Sequence, residues 1–334
     1  MMRKYDVLMP GSVCTVQVFK FHRMPVIGES ETVLNQTTCS DIYMGGCAYN
    51  IWKGIARLGA STYPFFSYRG ELCEKQMKKD CEEFGAPADA LFKPEGDVNY
   101  HCLMFQDDRN DHITISIPYG KDIDKEEVLR TGEIQYREEA FRDSRSIIFV
   151  LSYDDAALEL AKKHGLTIAY SYRNDPVLNP DHRLIRILRE AHIIFTNEVE
   201  REAIEKKFGM GKITELFETG NARIIVTTLG ARGSLVRRKK KDASIEEYFV
   251  ESTPVVRKNI DTVGAGDGYV AGFMYGYLRG EDIMTCARYG STVSSFVIEE
   301  EGSTTNLPTL EQMLERNAER PDAGSGCSDE GSMV

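Results

Sequence analysis

Asp261-Thr262-Val263-Gly264-Ala265-Gly266-Asp267, preceded by Asn259-Ile260, joins a short β-branched run to a helical pattern. In that pattern apolar residues recur at i, i+3, i+4, i+7 and i+8, which is one face of a helix: Val270, Phe273, Met274, Tyr277 and Leu278. The small residues before Asp267 therefore lie at a helix N-terminus, where backbone N–H groups have no partner inside the helix. Because the helix dipole adds positive potential there, the sequence predicts an anion-binding turn.

The carboxylate of Asp267 suits proton transfer better than it suits the binding of a phosphate, which it would repel. It can remove a proton from a hydroxyl while the amides of the turn stabilise charge on a transferring phosphoryl group. Ordinary helix capping, in which the Asp267 side chain binds first-turn amides, is the alternative. Taken alone, a Gly-x-Gly-Asp string favours that alternative, because short motifs are weak predictors.

The composition limits the class of protein. With 334 residues, of which 42% are hydrophobic, the chain can bury a core of one large domain or of one and a half. Its 41 Lys and Arg against 52 Asp and Glu give a net charge of −11, which argues against a nucleic-acid binder. The eight cysteines are dispersed without a Cys-x-x-Cys pair, as expected of reduced thiols. Since no leader-like or membrane-spanning apolar stretch occurs, we expect a soluble, cytoplasmic protein with no membrane partner.

Strand and helix patterns alternate along most of the chain, which is typical of a mostly parallel sheet with helices on both faces. Two segments differ: 13–44 contains strand-like stretches, the second of them polar and over 32–38, and 97–118 forms a hairpin pattern. We predict that these two segments project from a core made of 1–12, 45–96 and 119–320. Residues 321–334 are rich in Gly, Ser and Asp, which predicts a disordered tail.

A second strand-to-helix junction, at Gly45-Gly46, is where a substrate would bind. Two glycines let a ligand approach the backbone closely, and Asn50, one helical turn further on, can offer an amide to hydroxyl groups. A tight turn with Asn50 on the surface is the alternative.

A third junction, Thr196-Asn197-Glu198-Val199-Glu200, follows a buried strand and opens a helix. Its carboxylate and amide oxygens suit Mg²⁺, a hard cation that proteins hold through one or two acidic groups. The alternative is a capped helix with glutamates in its first turn, which the helix dipole favours in any case.

Together these motifs resemble those of the ribokinase/PfkB family of carbohydrate and nucleoside kinases. The Asp-Thr-Val-Gly-Ala-Gly-Asp run, Gly-Gly-x-x-x-Asn with a helix ending at Leu58-Gly59, and Asn-x-x-Glu all occur in the family's order. The resemblance covers about 5–308 and implies a ribokinase-like fold, with a three-layer α/β/α core, a mostly parallel sheet and a small β-sheet lid over the substrate. A P-loop is excluded, since Gly209-Met210-Gly211-Lys212 lacks the first glycine of that motif.

The resemblance implies an ATP-dependent carbohydrate kinase that transfers the γ-phosphoryl of ATP to a primary hydroxyl. The implied catalytic residues are Asp267 as base with Gly264, Ala265 and Gly266 as an anion hole, and the implied substrate contacts are Gly45, Gly46 and Asn50. The implied cofactors are ATP and Mg²⁺, with Asn197 and Glu200 ordering the metal and phosphates, and Asn197, Thr228, Gly230, Gly233, Ser291 and Ser294 around the nucleotide. In many members the backbone oxygens at Asp261 and Val263 also help to hold a monovalent cation such as K⁺.

One departure from the family concerns the substrate. Where members usually carry an aspartate that holds two sugar hydroxyls, this chain has Val16, so Gln17 replaces that contact or it is missing. The acceptor is then a sugar held through other hydroxyls or a nucleoside whose base stacks on an aromatic side chain of the lid. A nucleotide-binding protein that has lost turnover is a third alternative, against which the retained motifs argue. The exposed lid sheet predicts pairing with a second copy as a homodimer.

Overall fold

The computed structural model describes residues 3–68, 70–93, 99–109, 111–119, 137–176, 179–257 and 261–320. The predicted disordered tail, and Asn259 and Ile260 before the glycine-rich turn, lie outside these ranges. The strands, in chain order, are β1 (Tyr5–Ser12), β2 (Cys14–Lys20), β3 (Tyr43–Gly45), β4 (Thr62–Ser67), β5 (Asn99–Gln106), β6 (His112–Tyr119), β7 (Ser144–Val150), β8 (Thr167–Ser171), β9 (Ile193–Asn197), β10 (Ile224–Thr228), β11 (Ser234–Lys239) and β12 (Ile245–Val250).

The helices occupy the intervals that the apolar periodicity predicts, and three further short helices, at Glu138–Arg142, Leu216–Thr219 and Leu310–Ala318, were not predicted. They are α1 (Cys47–Arg57), α2 (Glu71–Phe84), α3 (Glu138–Arg142), α4 (Asp155–Lys163), α5 (Asp181–Glu190), α6 (Glu198–Phe208), α7 (Leu216–Thr219), α8 (Ala265–Arg279), α9 (Ile283–Val297) and α10 (Leu310–Ala318). Among the described residues, none of these helices is long and apolar enough to cross a lipid bilayer.

An eight-stranded sheet in the order β12-β11-β10-β9-β8-β7-β1-β4 forms the core. Its strands are parallel from β4 to β10, and β11 and β12 continue it as an antiparallel edge. All six residues of β4 are buried, as expected of a strand whose two faces are both covered.

Helices cover both faces of this sheet. Successive strand residues belong to different hydrophobic clusters: Val7 and Met9 pack with Trp52 and Phe273 on one face, whereas Leu8 packs with helices on the other. This alternation follows from the two-residue period of a strand. The predicted fold class, three α/β/α layers with a mostly parallel sheet, is confirmed.

Helices α8 and α9 pack unusually closely on one face of the sheet. Three glycines four residues apart, Gly268, Gly272 and Gly276, line α8 where it meets α9. A Cβ built on Gly272 would lie 2.4 Å from the carbonyl oxygen of Tyr289. The two helix backbones are therefore too close for any residue other than glycine at this position. This contact fixes α8, and with it the turn that precedes it.

A smaller sheet, in the order β3-β2-β5-β6, is built from the two segments in which the sequence predicts a lid, and we call it the lid sheet. Its inner face carries Val16, Val18 and Met104, which pack with Val263 of the core. Gln106 on the same face donates from Nε2 to Asp261 Oδ1 at 3.1 Å. The lid sheet is therefore docked on the segment that leads into α8.

The strand-like pattern over 32–38 was a wrong prediction, because these residues form turns and β3 lies further along the chain. The side chain of Asn35 explains the difference. Its Oδ1 accepts from the amide of Lys20, and its Nδ2 donates to the carbonyl of Val18, each at 2.9 Å. A polar side chain thus pairs with the edge of β2 where a strand backbone would have done so.

Candidate active site

Asp267 lies in the first turn of α8 with its side chain 3% exposed. Its Oδ2 accepts from Asn50 Nδ2 at 2.8 Å, and its Oδ1 accepts from Arg173 Nη2 at 2.5 Å. The side chain does not cap its own helix. The capping alternative is therefore wrong for this residue, and the carboxylate is held toward groups from other parts of the chain.

The turn before Asp267 presents unpaired backbone amides. Gly264 has φ +81°, and a Cβ there would lie 2.4 Å from Ser303 Cβ, so both conformation and space require glycine. Ala265 N–H donates to Thr262 O at 3.2 Å. For the amides of Gly264, Gly266 and Asp267 the described ranges provide no acceptor, and Gly266 is exposed. We call these three the bare amides. The amide of Ala265, which was predicted to belong to the anion hole, is already hydrogen-bonded to Thr262 and is not one of them.

Asn50 is 6% exposed and uses both ends of its amide. Nδ2 donates to Asp267, and Oδ1 accepts from Ser303 Oγ at 3.0 Å. The predicted substrate ligand therefore also orients the carboxylate, and the alternative of a surface asparagine is wrong.

The glycine junction was predicted to let a ligand approach the backbone, and the group that lies against Gly45 in the structure belongs to the lid sheet. A Cβ on Gly45 would lie 2.5 Å from Val16 Cγ2. Gly46 has φ +105° and precedes α1. Val16, which stands where the resemblance leads us to expect an aspartate, thus faces this glycine junction.

The structure does not bring Gln17 to this group. Adjacent strand residues point to opposite faces, and Gln17 lies on the face of β2 away from Val16. Its Nε2 donates to Cys39 O at 2.5 Å, and its Oε1 lies 3.2 Å from His101 Nε2. Gln17 therefore does not replace the missing aspartate.

Asn197 and Glu200 form a reciprocal cap at the start of α6. The backbone N–H of Asn197 donates to Glu200 Oε2, and the backbone N–H of Glu200 donates to Asn197 Oδ1, both at 2.8 Å. Burial raises the pKa of Glu200, an effect that the charge of Arg173 and the amide of Asn197 oppose. The capping alternative is thus realised here, and Oε1 of the buried carboxylate remains without a donor among the described residues.

The residues predicted around the nucleotide follow the carboxyl ends of β9 and β10. Thr228 pairs with Asn197 in the sheet register. Gly230, with φ +60°, and Gly233, with φ +109°, bound the turn that follows. A Cβ on Gly233 would lie 2.1 Å from Val250 O, which requires glycine.

The two serines of α9 are bonded within the protein. Ser291 Oγ accepts from the amide of Thr253 at 2.7 Å, and Ser294 Oγ donates to Ala265 O at 2.6 Å. Ser294 thus ties α9 to the first turn of α8, which is a structural role that the sequence did not reveal.

Arg173 and Cys47 adjoin Asp267, although sequence reasoning missed both. Arg173 follows β8 at the carboxyl edge of the sheet, where ligands of parallel sheets bind, and that position was the available signal. Burial and the charge of Asp267 raise the pKa of Cys47 to about 12, so this residue is a neutral thiol. Ser303 had no comparable signal.

Asp261, at the start of the quoted stretch, is 2% exposed. Its Oδ1 accepts from the Val263 amide at 3.0 Å as well as from Gln106, and its Oδ2 accepts from the Gly302 amide at 3.3 Å. Through these hydrogen bonds the carboxylate connects the lid sheet, the turn before α8 and the segment after α9.

Known proteins resemble this chain in sequence and in fold. The chain is 26% identical over 281 residues to a nucleoside kinase of Methanothermobacter thermautotrophicus, covering 81% of this chain and 84% of that protein. It is 24% identical over 339 residues to a 5-dehydro-2-deoxygluconokinase of Bacillus licheniformis, covering 94% and 96%. The crystal structure of a Methanocaldococcus jannaschii nucleoside kinase, a ribokinase-family protein, superposes with a TM-score of 0.76 at 21% identity, covering 96% of this chain and 100% of that one.

The resemblance drawn from the motifs is confirmed on the family scale. The model of the family described as pfkB family carbohydrate kinase matches residues 21–310, which include every candidate site residue discussed above except Gln17 and Val16. Since that match covers most of the sequence and the fold agrees with it, the chain belongs to the pfkB family of carbohydrate kinases.

Proposed function

We propose that the protein transfers the γ-phosphoryl of ATP to a primary hydroxyl of a carbohydrate. The observation that carries this proposal is the buried carboxylate of Asp267 beside the bare amides at the mouth of α8. Each carboxylate oxygen has a second lone pair beyond the one used by Asn50 or Arg173, so either can accept the hydroxyl proton. The bare amides then stabilise charge on the phosphoryl oxygens as the acceptor oxygen attacks in line.

The proposed metal is Mg²⁺, and the donor chemistry fits it. Glu200 offers a buried carboxylate with Oε1 unpaired among the described residues, and Mg²⁺ is commonly held through one such group together with its own waters. Bound there, Mg²⁺ would neutralise phosphate charge. Asn197 orients Glu200, and Thr228, Gly230 and Gly233 would line the nucleotide, with Ser291 and Ser294 supporting its adenine side through the backbone.

A monovalent cation such as K⁺ is proposed at the carbonyl oxygens of Asp261 and Val263. The buried, negatively charged side chain of Asp261 supports a cation nearby. Activity in potassium buffers against activity in tetramethylammonium buffers tests this, and equal rates would overturn it.

The lid sheet is proposed to close over the acceptor and to exclude the water that would otherwise take the phosphoryl group. A nucleoside is the second candidate acceptor. Val16 is only partly buried on the inner lid face, and an apolar side chain at that position suits a planar base better than it suits a sugar hydroxyl.

An assay of ATP consumption with Mg²⁺ tests these alternatives. The acceptors are ribose, fructose, 5-dehydro-2-deoxygluconate, adenosine and inosine, each with the product identified by mass. Phosphorylation of a free sugar supports the first candidate, and phosphorylation of only the nucleosides supports the second. ATP binding without consumption on any of them would favour a protein that has lost turnover.

The proposed assembly is a homodimer formed through the outer face of the lid sheet, and the proposed location is the cytoplasm. Phe105, Ile113 and Ile115 lie on that face, and the two isoleucines are 51% and 47% exposed. The described cysteines are free thiols, in keeping with a reducing compartment.

A further inference from the structure

The guanidinium of Arg173 lies between Asp267 and the bare amides. Nη2 donates to Asp267 Oδ1 at 2.5 Å, and the same nitrogen lies 3.6 Å from the position that a Cβ on Gly266 would take. A group that touches the proposed base and borders the anion hole is within reach of the bond being made. Its placement, after β8, is fixed by contacts of its own.

The hydrogens of this guanidinium divide into two sets. Nη1 donates to Ser171 Oγ at 3.1 Å and to Tyr172 O at 2.7 Å, which fixes the plane of the group. Nη2 gives one hydrogen to Asp267. Of the five hydrogens that a guanidinium carries, two are thereby left for Cys47 or for a ligand. The side chain is 26% exposed, so a ligand can reach it.

The charge at Arg173 is stable. Burial opposes it, but the charges of Asp267 and Glu200 raise the pKa of the guanidinium above its usual range. The cation thus balances two carboxylates, one proposed as base and one proposed as metal ligand.

Proton transfer changes that balance. When the acceptor hydroxyl gives its proton to Asp267, the carboxylate becomes a neutral acid and the guanidinium loses the charge that it was paired with. At the same time the acceptor oxygen bonds to the γ-phosphorus, and the bond to the β-phosphate oxygen breaks with its electron pair leaving on ADP. The cation is then free to stabilise the equatorial phosphoryl oxygens at the moment when they need it.

We propose that Arg173 is a catalytic residue that binds the transferring phosphoryl group, and that its pairing with Asp267 is the resting state of that contact. The proposal rests on the kinase function proposed above. In this proposal the guanidinium of Arg173 places a positive charge beside the transferring phosphoryl group, in addition to the bare amides and the metal.

The test compares wild type, Arg173→Ala and Arg173→Lys, using ATP, Mg²⁺ and whichever of inosine or ribose the wild type phosphorylates faster. We expect Arg173→Ala to lower kcat by about 10²-fold or more, as the loss of one transition-state donor does, with KM for ATP little changed. Millimolar guanidinium chloride should raise the kcat of Arg173→Ala part of the way back to the wild-type value. It should leave the kcat of wild type unchanged. Arg173→Lys should fall between the two, because an ammonium keeps the charge but not the planar fork.

Arg237→Gln is the matched control, since Arg237 also pairs with one carboxylate, Glu247, but on the remote β11–β12 edge. It should keep the wild-type kcat. A kcat for Arg173→Ala within a few-fold of wild type, or a deficit that guanidinium does not relieve, would overturn the inference. If Arg173→Ala does not fold, the graded deficit of Arg173→Lys decides. A wild type inactive on both acceptors would instead count against the proposed function.

Discussion

At the scale of single residues, the orientation of Asp267 depends on two donors from distant parts of the chain. Asn50 holds one carboxylate oxygen and Arg173 the other, and Ser303 in turn holds Asn50. A carboxylate fixed in this way has lost its rotational freedom before the acceptor arrives. If Asp267 is the base proposed above, that preorganisation would contribute to the rate before the substrate binds.

Replacing Asp267 by Asn should separate turnover from nucleotide binding. Without the proposed base, kcat is expected to fall by about 10²- to 10⁴-fold. ATP affinity, measured by calorimetry, should stay close to wild type. The new amide also presents NH₂ to Arg173 or Asn50, both of them donors here, so a loss of about 1–3 kcal/mol in unfolding free energy should accompany it.

Asp242→Asn is the control for that experiment, because Asp242 caps a hairpin turn far from the site. It should match wild type in turnover. If Asp267→Asn turned over nearly as fast as its control, Asp267 could not be the base.

Cys102, on the inner face of the lid sheet, should be more reactive than Cys47 of the candidate site. Its hydrogen bond with Cys14, 3.7 Å away, lowers the pKa of Cys102 to about 7, whereas burial raises that of Cys47 to about 12. As pH rises through 7, Cys102 gains thiolate while Cys47 stays protonated, so iodoacetamide should modify Cys102 first. Peptide mass spectrometry measures the rate of iodoacetamide modification at each cysteine as a function of pH, and Cys102→Ser serves as the blank for Cys102. A half-maximal rate near pH 8.5 would contradict it.

The sequence predicted Asp267, Gly264 and Asn50 as site residues because each stands at a fixed spacing inside a motif. It missed Arg173 and Ser303, whose partners lie 94 and 253 residues away along the chain. No local pattern marks such a pairing. Gln17 was considered because it is the polar neighbour of Val16, but adjacent strand residues point to opposite faces, and Gln17 bonds to Cys39 and His101 instead.

At the scale of elements, the position of the bare amides, the proposed anion hole, depends on how α8 meets α9. The glycines of α8 let its backbone touch α9, and Ser294 of α9 bonds to the first turn of α8. Helix pairs with ordinary side chains lie about 8–10 Å apart. Glycine at this contact therefore sets where the bare amides point.

Two substitutions in α8 should have opposite effects. Gly272→Ala places a methyl 2.4 Å from Tyr289 O and should lower the unfolding free energy by about 1–3 kcal/mol through overpacking. Gly266→Ala has no protein atom nearer than Arg173 Nη2 at 3.6 Å, so the fold should tolerate it while the methyl obstructs the phosphoryl site.

Thermal unfolding and kcat, measured on both variants, check this pair. Equal melting temperatures would show that the α8–α9 contact is looser than described. Unchanged kcat in Gly266→Ala would place the phosphoryl group elsewhere.

The element pattern was predictable wherever strands and helices alternate, because buried parallel strands and amphipathic helices have different periods. The strand prediction failed over 32–38, where the side chain of Asn35, and not a strand backbone, forms the hydrogen bonds to β2. Helix α10 was not predicted. Its N-terminus carries a reciprocal cap between Thr309 and Gln312, a local pattern that could have revealed it.

At the scale of the whole molecule, the outer face of the lid sheet predicts the assembly. Ile113 and Ile115 pair with Phe105 and Leu103 across β5 and β6, and Phe19 stacks on Phe105 with ring centroids 5.6 Å apart. We expect wild type to be a dimer by light scattering, and Ile113→Lys with Ile115→Lys to be a folded monomer. Ile245→Lys on the exposed β12 edge is the control and should stay dimeric. A monomeric wild type at micromolar concentration would contradict the proposed interface.

Three remote stretches of chain converge on one carboxylate: the first helix, the turn after β8 and the mouth of α8. The proposed catalytic centre is therefore complete only when all three stretches are in place. Without α1 the carboxylate would lose the hydrogen bond from Asn50. Recovered turnover would then mark the completion of refolding, after the regain of helix content.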